Sequence, residues 1–283
     1  MRRRIANEGG TFVEGAGLAL RALLVALPWV AAGSPGWAAD LTTREVVSAL
    51  FKAAPGSAPD LSGKDLRRLD LAGVDFKGAN LARATLFGSD LAGANLAKAR
   101  LAGAVLDRVT ITKTNFADAD LSQATILRPN IFSSLEAASS EVPTFAGARL
   151  VGSHLSGRFD LVNFRGADLT GARFGPRDPR SEELITGRME LTGCDFSGAI
   201  LRNANLSRSV SKYAKFTRAD LRGANLAYAN FKGADFTGAD LAGADFTGAV
   251  LEGADFTDAR GLDRARGLQQ GFSGDSSAAP SNN

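Results

Sequence analysis

Large apolar side chains recur at every fifth position of this chain, a spacing that neither a regular helix nor a regular strand can turn to one side. From Leu61 the step gives Leu61, Leu66, Leu71, Phe76, Leu81, Leu86, Leu91, Leu96, Leu101, Leu106, Ile111, Phe116, Leu121, Ile126 and Ile131, fifteen apolar slots of fifteen. From Leu191 it gives Leu191, Phe196, Leu201, Leu206, Ser211, Phe216, Leu221, Leu226, Phe231, Phe236, Leu241, Phe246, Leu251 and Phe256, with Ser211 the one exception. An α-helix would rotate successive slots by about 140°, and a strand would send alternate slots to opposite faces. The chain must therefore turn once per repeat. Two residues before most large slots stands a small one, such as Ala79, Ala84, Ala94, Ala199 or Ala204, so large and small residues together face one axis.

Asp or Asn precedes many large residues and Gly often follows two later, as in Ala234-Asp235-Phe236-Thr237-Gly238. These types tolerate tight corners and hydrogen-bond their own backbone, which places them outside, at the bends. The simplest closed path is a square coil of four repeats, with successive coils paired at about 4.8 Å. A twenty-residue recurrence agrees: Phe196, Phe216, Phe236 and Phe256 fall one coil apart and predict a Phe column, accompanied by a hydroxyl ladder of Ser197, Thr217, Thr237 and Thr257. The consensus Ala-(Asp/Asn)-(Leu/Phe)-x-x resembles that of the pentapeptide-repeat family. The resemblance implies an all-β solenoid, a right-handed quadrilateral β-helix, and is nearly silent about function.

Register breaks divide the chain. Residues 60–131 form a first repeat block, 132–144 an excursion, 145–174 a second block, 175–190 a second excursion and 191–260 a third block. Within the second block the slots run Phe145, Leu150 and Leu155, then slip by one residue to Phe159, Phe164, Leu169 and Phe174, which predicts one distorted coil. The excursions are either binding loops on a rigid scaffold or tolerated insertions.

A solenoid exposes an apolar cross-section at each end and needs caps. Residues 40–59 supply a cap helix and linker: Thr42-Thr43-Arg44-Glu45 reads as a capping box, Val46, Val47, Leu50 and Phe51 follow at helical spacing, and Pro55-Gly56 ends the run. At the other end residues 261–270 read as a weaker helical cap, with Leu262 and Leu268 over the last coil and 271–283 a disordered tail. Incomplete capping there makes the C-terminal end the candidate surface for a homodimer.

Basic residues at Arg2 to Arg4 and an apolar stretch from Leu18 to Ala32, interrupted by Arg21 and Pro28, precede Gly36-Trp37-Ala38. This pattern predicts a signal peptide over 1–39, cleaved near Ala38 or Ala39, and a periplasmic or secreted protein. The stretch is too short to span a bilayer comfortably, so no stable membrane span is expected after cleavage. Loss of 1–39 removes four Arg and two Glu, lowering the net charge from +3 to +1. Near-neutrality argues against a nucleic-acid partner, which calls for a dominant basic face, and against a nucleic-acid mimic, which calls for an acidic one.

Chemistry is sparse. His154 is the only histidine and occupies an outward corner before Leu155, without the company a metal site or triad needs. Cys194 is the only cysteine, so no internal disulfide can form; it replaces Ala in an inward slot, where a thiol is buried and inert. Asp235, Asp240, Asp245 and Asp255, with Glu252 and Asp258, outnumber Lys232 and Arg260 near the C-terminal coils. Each of those four Asp stands where the repeat wants a corner former, so they read as solvated corners rather than acid–base pairs. No catalytic, cofactor-binding or metal-binding residue is assigned, and no cofactor is expected. The leading expectation is a non-enzymatic structural or protein-binding module of the periplasm or cell envelope with an unidentified protein partner. Two alternatives stand beside it: a solute- or envelope-polymer-binding protein, and a cytoplasmic DNA mimic binding gyrase, a role the family resemblance implies for some members.

Overall fold

The computed structural model describes residues 39–54, 57–131, 141–175 and 189–268. The expected signal peptide apart from Ala39, most of both excursions, and the tail lie outside the described residues. Between Asp60 and Arg266 the backbone is a quadrilateral β-helix. Asp60 pairs in parallel with Asn80, Asn80 with Arg100 and Arg100 with Asp120, so four repeats close one coil and each repeat lies over its counterpart. Four columns define four faces, begun by Asp60, Asp65, Asp70 and Asp75 and numbered here 1 to 4. Most pairings are single bridges, because little more than one residue per side is extended between corners. Among the described residues only face 2 holds short strands: β1 (Thr125–Leu127), β2 (His154–Ser156) and β3 (Arg173–Phe174), parallel and in that order.

Backbone accounting explains the consensus. In the Leu81 repeat, Leu81 N donates to Arg100 O (2.7 Å), Arg83 N to Ala102 O (2.9 Å), Ala84 N to Leu81 O (3.0 Å) and Thr85 N to Lys64 O (2.9 Å). The remaining donor, Ala82 N, reaches no carbonyl and instead meets Asn80 Oδ1 at 3.2 Å. Asp and Asn before the large residue therefore satisfy the one N–H that coil pairing and the turn leave over. The same bond recurs at Asp75, Asn95, Asn115, Asp195 and Asp235. Where the corner former is missing, an Asp one coil earlier serves: Asp107 accepts from Leu127 N and Asp160 from Thr192 N.

Inside, the large slots and their Ala partners form one continuous core. The Phe column is longer than the recurrence predicts. Phe116, Phe145, Phe164, Phe196, Phe216, Phe236 and Phe256 stack in unbroken succession with centroids 4.7 to 5.2 Å apart and ring planes within 15°. Offset stacks of this kind add about 0.5–1.5 kcal/mol per pair to burial. The accompanying hydroxyls do not form a ladder of their own; Thr217 and Thr257 donate to Asp235 and Asp255. Two polar residues in the small inward slots find carbonyls of the coil before, Ser89 donating to Leu66 O and Thr114 to Leu91 O, whereas the buried Ser153 hydroxyl has no partner among the described residues. Ser211, the exception among the large slots, is buried with its hydroxyl 2.9 Å from that of Ser209.

The interruptions leave the stack intact. On face 4 Asn115 pairs with Thr144, Thr144 with Asn163 and Asn163 with Asp195, steps of 29, 19 and 32 residues in place of 20. The 19-residue coil is the one-residue slip. Leu155 and Phe159 are both fully buried, and Gly157 turns the shortened corner at φ 105° with its α-carbon so close to Arg128 that an added Cβ would stand 3.0 Å from Arg128 Cα.

At the N-terminal side, α1 (Thr43–Lys52) begins at Thr42 with both capping-box bonds formed. Only Val46 and Leu50 reach the core. Val47 and Phe51 point outward, Phe51 82% exposed, because they lie about 100° further round the helix. Asp40 N donates to Asp65 O, Thr43 Oγ1 to Asp70 O and Lys77 Nζ to Leu50 O, tying this segment to the first coil. At the other end the expected helical run from Gly261 is a single 3₁₀ turn, Leu262–Arg264. Ala265 is then extended and Arg266 pairs with Asp245, so coil pairing overrides the weak helical pattern; Leu262 and Leu268 are half-buried against the core. No helix among the described residues is long and apolar enough to cross a membrane.

Candidate functional site

The residues with chemical potential are held apart by the coil. His154 lies on β2, half-buried, with Nε2 2.7 Å from Gly175 O; it is not simply solvated but fastens the backbone where the second excursion departs. Cys194 is fully buried, its thiol directed at Phe159 O 2.9 Å away, and burial pushes its pKa well above the ordinary thiol value. That removes the thiolate on which cysteine reactivity depends. Asp235 and Asp255 share face 4, while Asp240 and Asp245 stand on faces 1 and 2. Each accepts the N–H two residues on. For Asp235 burial pushes the pKa upward, but bonds from Thr237 and Thr217 outweigh it and hold the carboxyl below its usual range. Among the described residues no group of three His, Cys, Asp or Glu could hold a metal ion.

The densest charged cluster is on face 1. Asp220 receives Arg222 at 2.8 Å and Arg202, and Arg222 also lies 3.8 Å from Asp240. Burial alone would raise the Asp220 pKa; the two guanidinium groups reverse this and bring it to about 2. Arg202–Asp220 and Arg222–Asp240 join successive coils, while Arg222–Asp220 lies within one.

Apolar side chains show a different asymmetry, which sequence reasoning missed. The exposed large hydrophobic residues of the coils are Leu161, Tyr213, Tyr228 and Val250. All four lie on face 3 or its two edges, beside the column Arg158, Glu190, Val210, Asn230, Val250. Tyr213 and Tyr228, the only tyrosines, are each 58% exposed and each occupies the left-handed turn position, φ 56° and 59°, where the repeat favours Gly. Arg208 lies over the Tyr228 ring at 5.3 Å. The signal available in the sequence was the replacement of Gly by the chain's only two tyrosines at neighbouring corners.

A family model described as pentapeptide repeats matches in eight copies over residues 57–88, 89–126, 190–226 and 214–253. Among solved structures the chain is similar to HetL, a pentapeptide repeat protein involved in heterocyst differentiation regulation from the cyanobacterium Nostoc sp. strain PCC 7120. The identity is 28%, covering 74% of this chain and 77% of HetL, with a TM-score of 0.45. It is also similar to QnrB1, a plasmid-mediated fluoroquinolone resistance protein, at 22% identity over 59% of this chain and 82% of that one, TM-score 0.38. A third is the pentapeptide repeat protein Rfr23 from the cyanobacterium Cyanothece 51142, at 22% identity over 54% and 90% of the two chains, TM-score 0.34. Comparison with curated proteins finds no match. With the repeat matched in both long blocks and the coil register present in the backbone pairing, the chain belongs to the pentapeptide-repeat family.

Proposed function

We propose that this protein is a non-enzymatic protein-binding module of the periplasm or cell envelope, a right-handed coil stack capped on its N-terminal side by α1. The observation that carries the binding role is the gathering of Leu161, Tyr213, Tyr228 and Val250 on one face of four or its two edges. Exposed apolar residues scattered singly need no explanation, whereas a contiguous set rimmed by polar groups marks an interaction site. The compartment rests on the basic start, the apolar stretch and Gly36-Trp37-Ala38. Affinity purification from an envelope fraction, paired with fractionation of cells carrying a tagged copy, tests both parts. Full-length protein in the cytosol would remove the export reading, and failure to recover any partner under conditions that recover known envelope complexes would remove the binding one.

The C-terminal end is proposed as a self-association surface. Leu251 N and Gly253 N occupy positions that donate to the next coil at Phe231 and Gly233, and they have no acceptor among the described residues. Light scattering across a concentration series checks it; a monomer throughout would exclude it. The DNA-mimic reading gains little, since the carboxylates of the last coils are spread over three faces and interleaved with Arg202, Arg222 and Lys232.

A further inference from the structure

Building on the protein-binding reading, we infer that face 3 between Leu161 and Val250 docks a segment of another protein that presents apolar side chains next to carboxylates. Its two anchors are Tyr213 and Tyr228. Nothing in the coil calls for an aromatic residue there. In Tyr213's column the positions before and after are Gly193, Gly233 and Gly253, all at positive φ, and the position after Tyr228 is Gly248. Both tyrosines hold a left-handed backbone that disfavours a side chain; other non-glycine residues do so too, among them Arg208 and Leu161, but these two are the only aromatic ones among the described residues.

Both rings are packed by their Cδ1–Cε1 edge against a glycine. A Cβ on Gly233 would stand 2.6 Å from Tyr213 Cδ1 and Cε1, and one on Gly248 would stand 2.6 Å from Tyr228 Cδ1. Each ring thus lies against the glycine of the following coil, both residues stay 58% exposed, and Arg208 covers part of Tyr228. Such fixed aromatic platforms lose little conformational freedom on binding. Between them Val210 and Val250 face outward from the column, and Leu161 extends the apolar strip along one edge, packed toward Gly193.

Charge selects the partner. On this face Asp160 pairs with Arg158 at 3.5 Å and Glu252 with Lys232 at 2.8 Å. Among the described residues Arg208, stacked on Tyr228, and Lys212, beside Tyr213, make no ion pair. The uncompensated charge next to the anchors is positive, which suits carboxylates. Two free cations amid valines are too few for a polyanion such as nucleic acid, whose binding scales with the number of phosphates neutralised.

The test measures anisotropy of a fluorescein-labelled peptide of repeated Leu-Glu-Ser-Glu units against the purified protein, with a Leu-Gln-Ser-Gln peptide and labelled oligothymidylate as rivals. The double variant Tyr213→Gly with Tyr228→Gly should lose about tenfold or more in affinity, as anchor residues do, while its melting temperature stays level or rises because Gly suits both corners. Arg208→Gln with Lys212→Gln should weaken binding and flatten its salt dependence; Arg100→Gln on face 1 should change nothing. The inference falls if the acidic peptide does not bind, if the Tyr variant binds it equally, or if oligothymidylate binds more tightly. It falls too if the wild type is a dimer that the Tyr variant splits, since the occupant is then a second copy. A partner recovered by affinity purification that stays bound to the Tyr variant would sink this surface and leave the protein-binding reading standing.

Discussion

The rings of Phe164 and Phe196 lie 4.9 Å apart and 2° from parallel, although 32 residues separate them. Twelve of those residues are surplus to a twenty-residue coil, yet the two rings stack as closely as those one ordinary coil apart. Phe196→Ala should cost about 3–5 kcal/mol, from lost burial and a cavity the rigid stack cannot collapse. Phe196→Leu should cost under about 1.5 kcal/mol, since Leu96 fills the same column between Phe76 and Phe116. Urea unfolding of both variants checks the pair; equal losses would mean that ring stacking, and not volume, holds the coil.

Corner amides carry a second, separable contribution. Asn95 Oδ1 accepts from Ala97 N and from Asn115 Nδ2, while its own Nδ2 donates to Asp75 Oδ1. Asn95→Ala strips the acceptor from a backbone donor and breaks a side-chain ladder, and should cost about 1–3 kcal/mol. Asn95→Asp keeps the Ala97 bond but sets a carboxylate against that of Asp75. It should be destabilised at pH 7 and recover as pH is lowered toward 4, a pattern that a urea titration at several pH values would reveal or refute.

Left-handed corners predict opposite signs for opposite substitutions. Gly233 has φ 65° and lies under the Tyr213 ring, so Gly233→Ala combines backbone strain of about 1–2 kcal/mol with a displaced ring. Arg83, at φ 59° over Gly103, bears the same strain already, and Arg83→Gly should stabilise by up to about 1 kcal/mol, the relief being offset by the freer unfolded chain. Thermal unfolding of the two variants should move in opposite directions.

Much of this architecture was legible because one period serves packing and hydrogen bonding at once. Leu61 to Ile131 face inward, and Asn80 or Asp235 takes the corner, for reasons local to five residues. What escaped was whatever depends on how many residues an excursion removes. Phe116, Phe145 and Phe164 join the Phe column only because steps of 29, 19 and 32 residues each close one coil, and sequence spacing alone does not disclose that. The same counting hid face 3, where Leu161 and Tyr213 come to share an edge. Asp107 serving Leu127 N is likewise a relation between coils. At Gly261 the error was of another kind: a short helical pattern lost to the open edge of the last coil, which offered Arg266 a pairing partner.

Asp220 gives the stack an acid-sensitive point. Its side chain is 19% exposed between Arg202 and Arg222, and its pKa in the folded protein is about 2 against an ordinary 3.8. A depressed folded pKa means that the unfolded chain takes up the proton first. The stabilisation is therefore complete above about pH 4 and fades as pH falls through the interval down to about 2. The partners are 44% and 49% exposed, so solvent screening limits the contribution to about 1 kcal/mol. Asp220→Asn removes the titration but keeps an acceptor for Arg222 N. Its stability, measured by urea unfolding from pH 7 to pH 2, should start below the wild type by about that amount and converge with it at the acid end. Parallel curves across the whole range would show that the Arg202–Asp220–Arg222 cluster is ornamental to the fold.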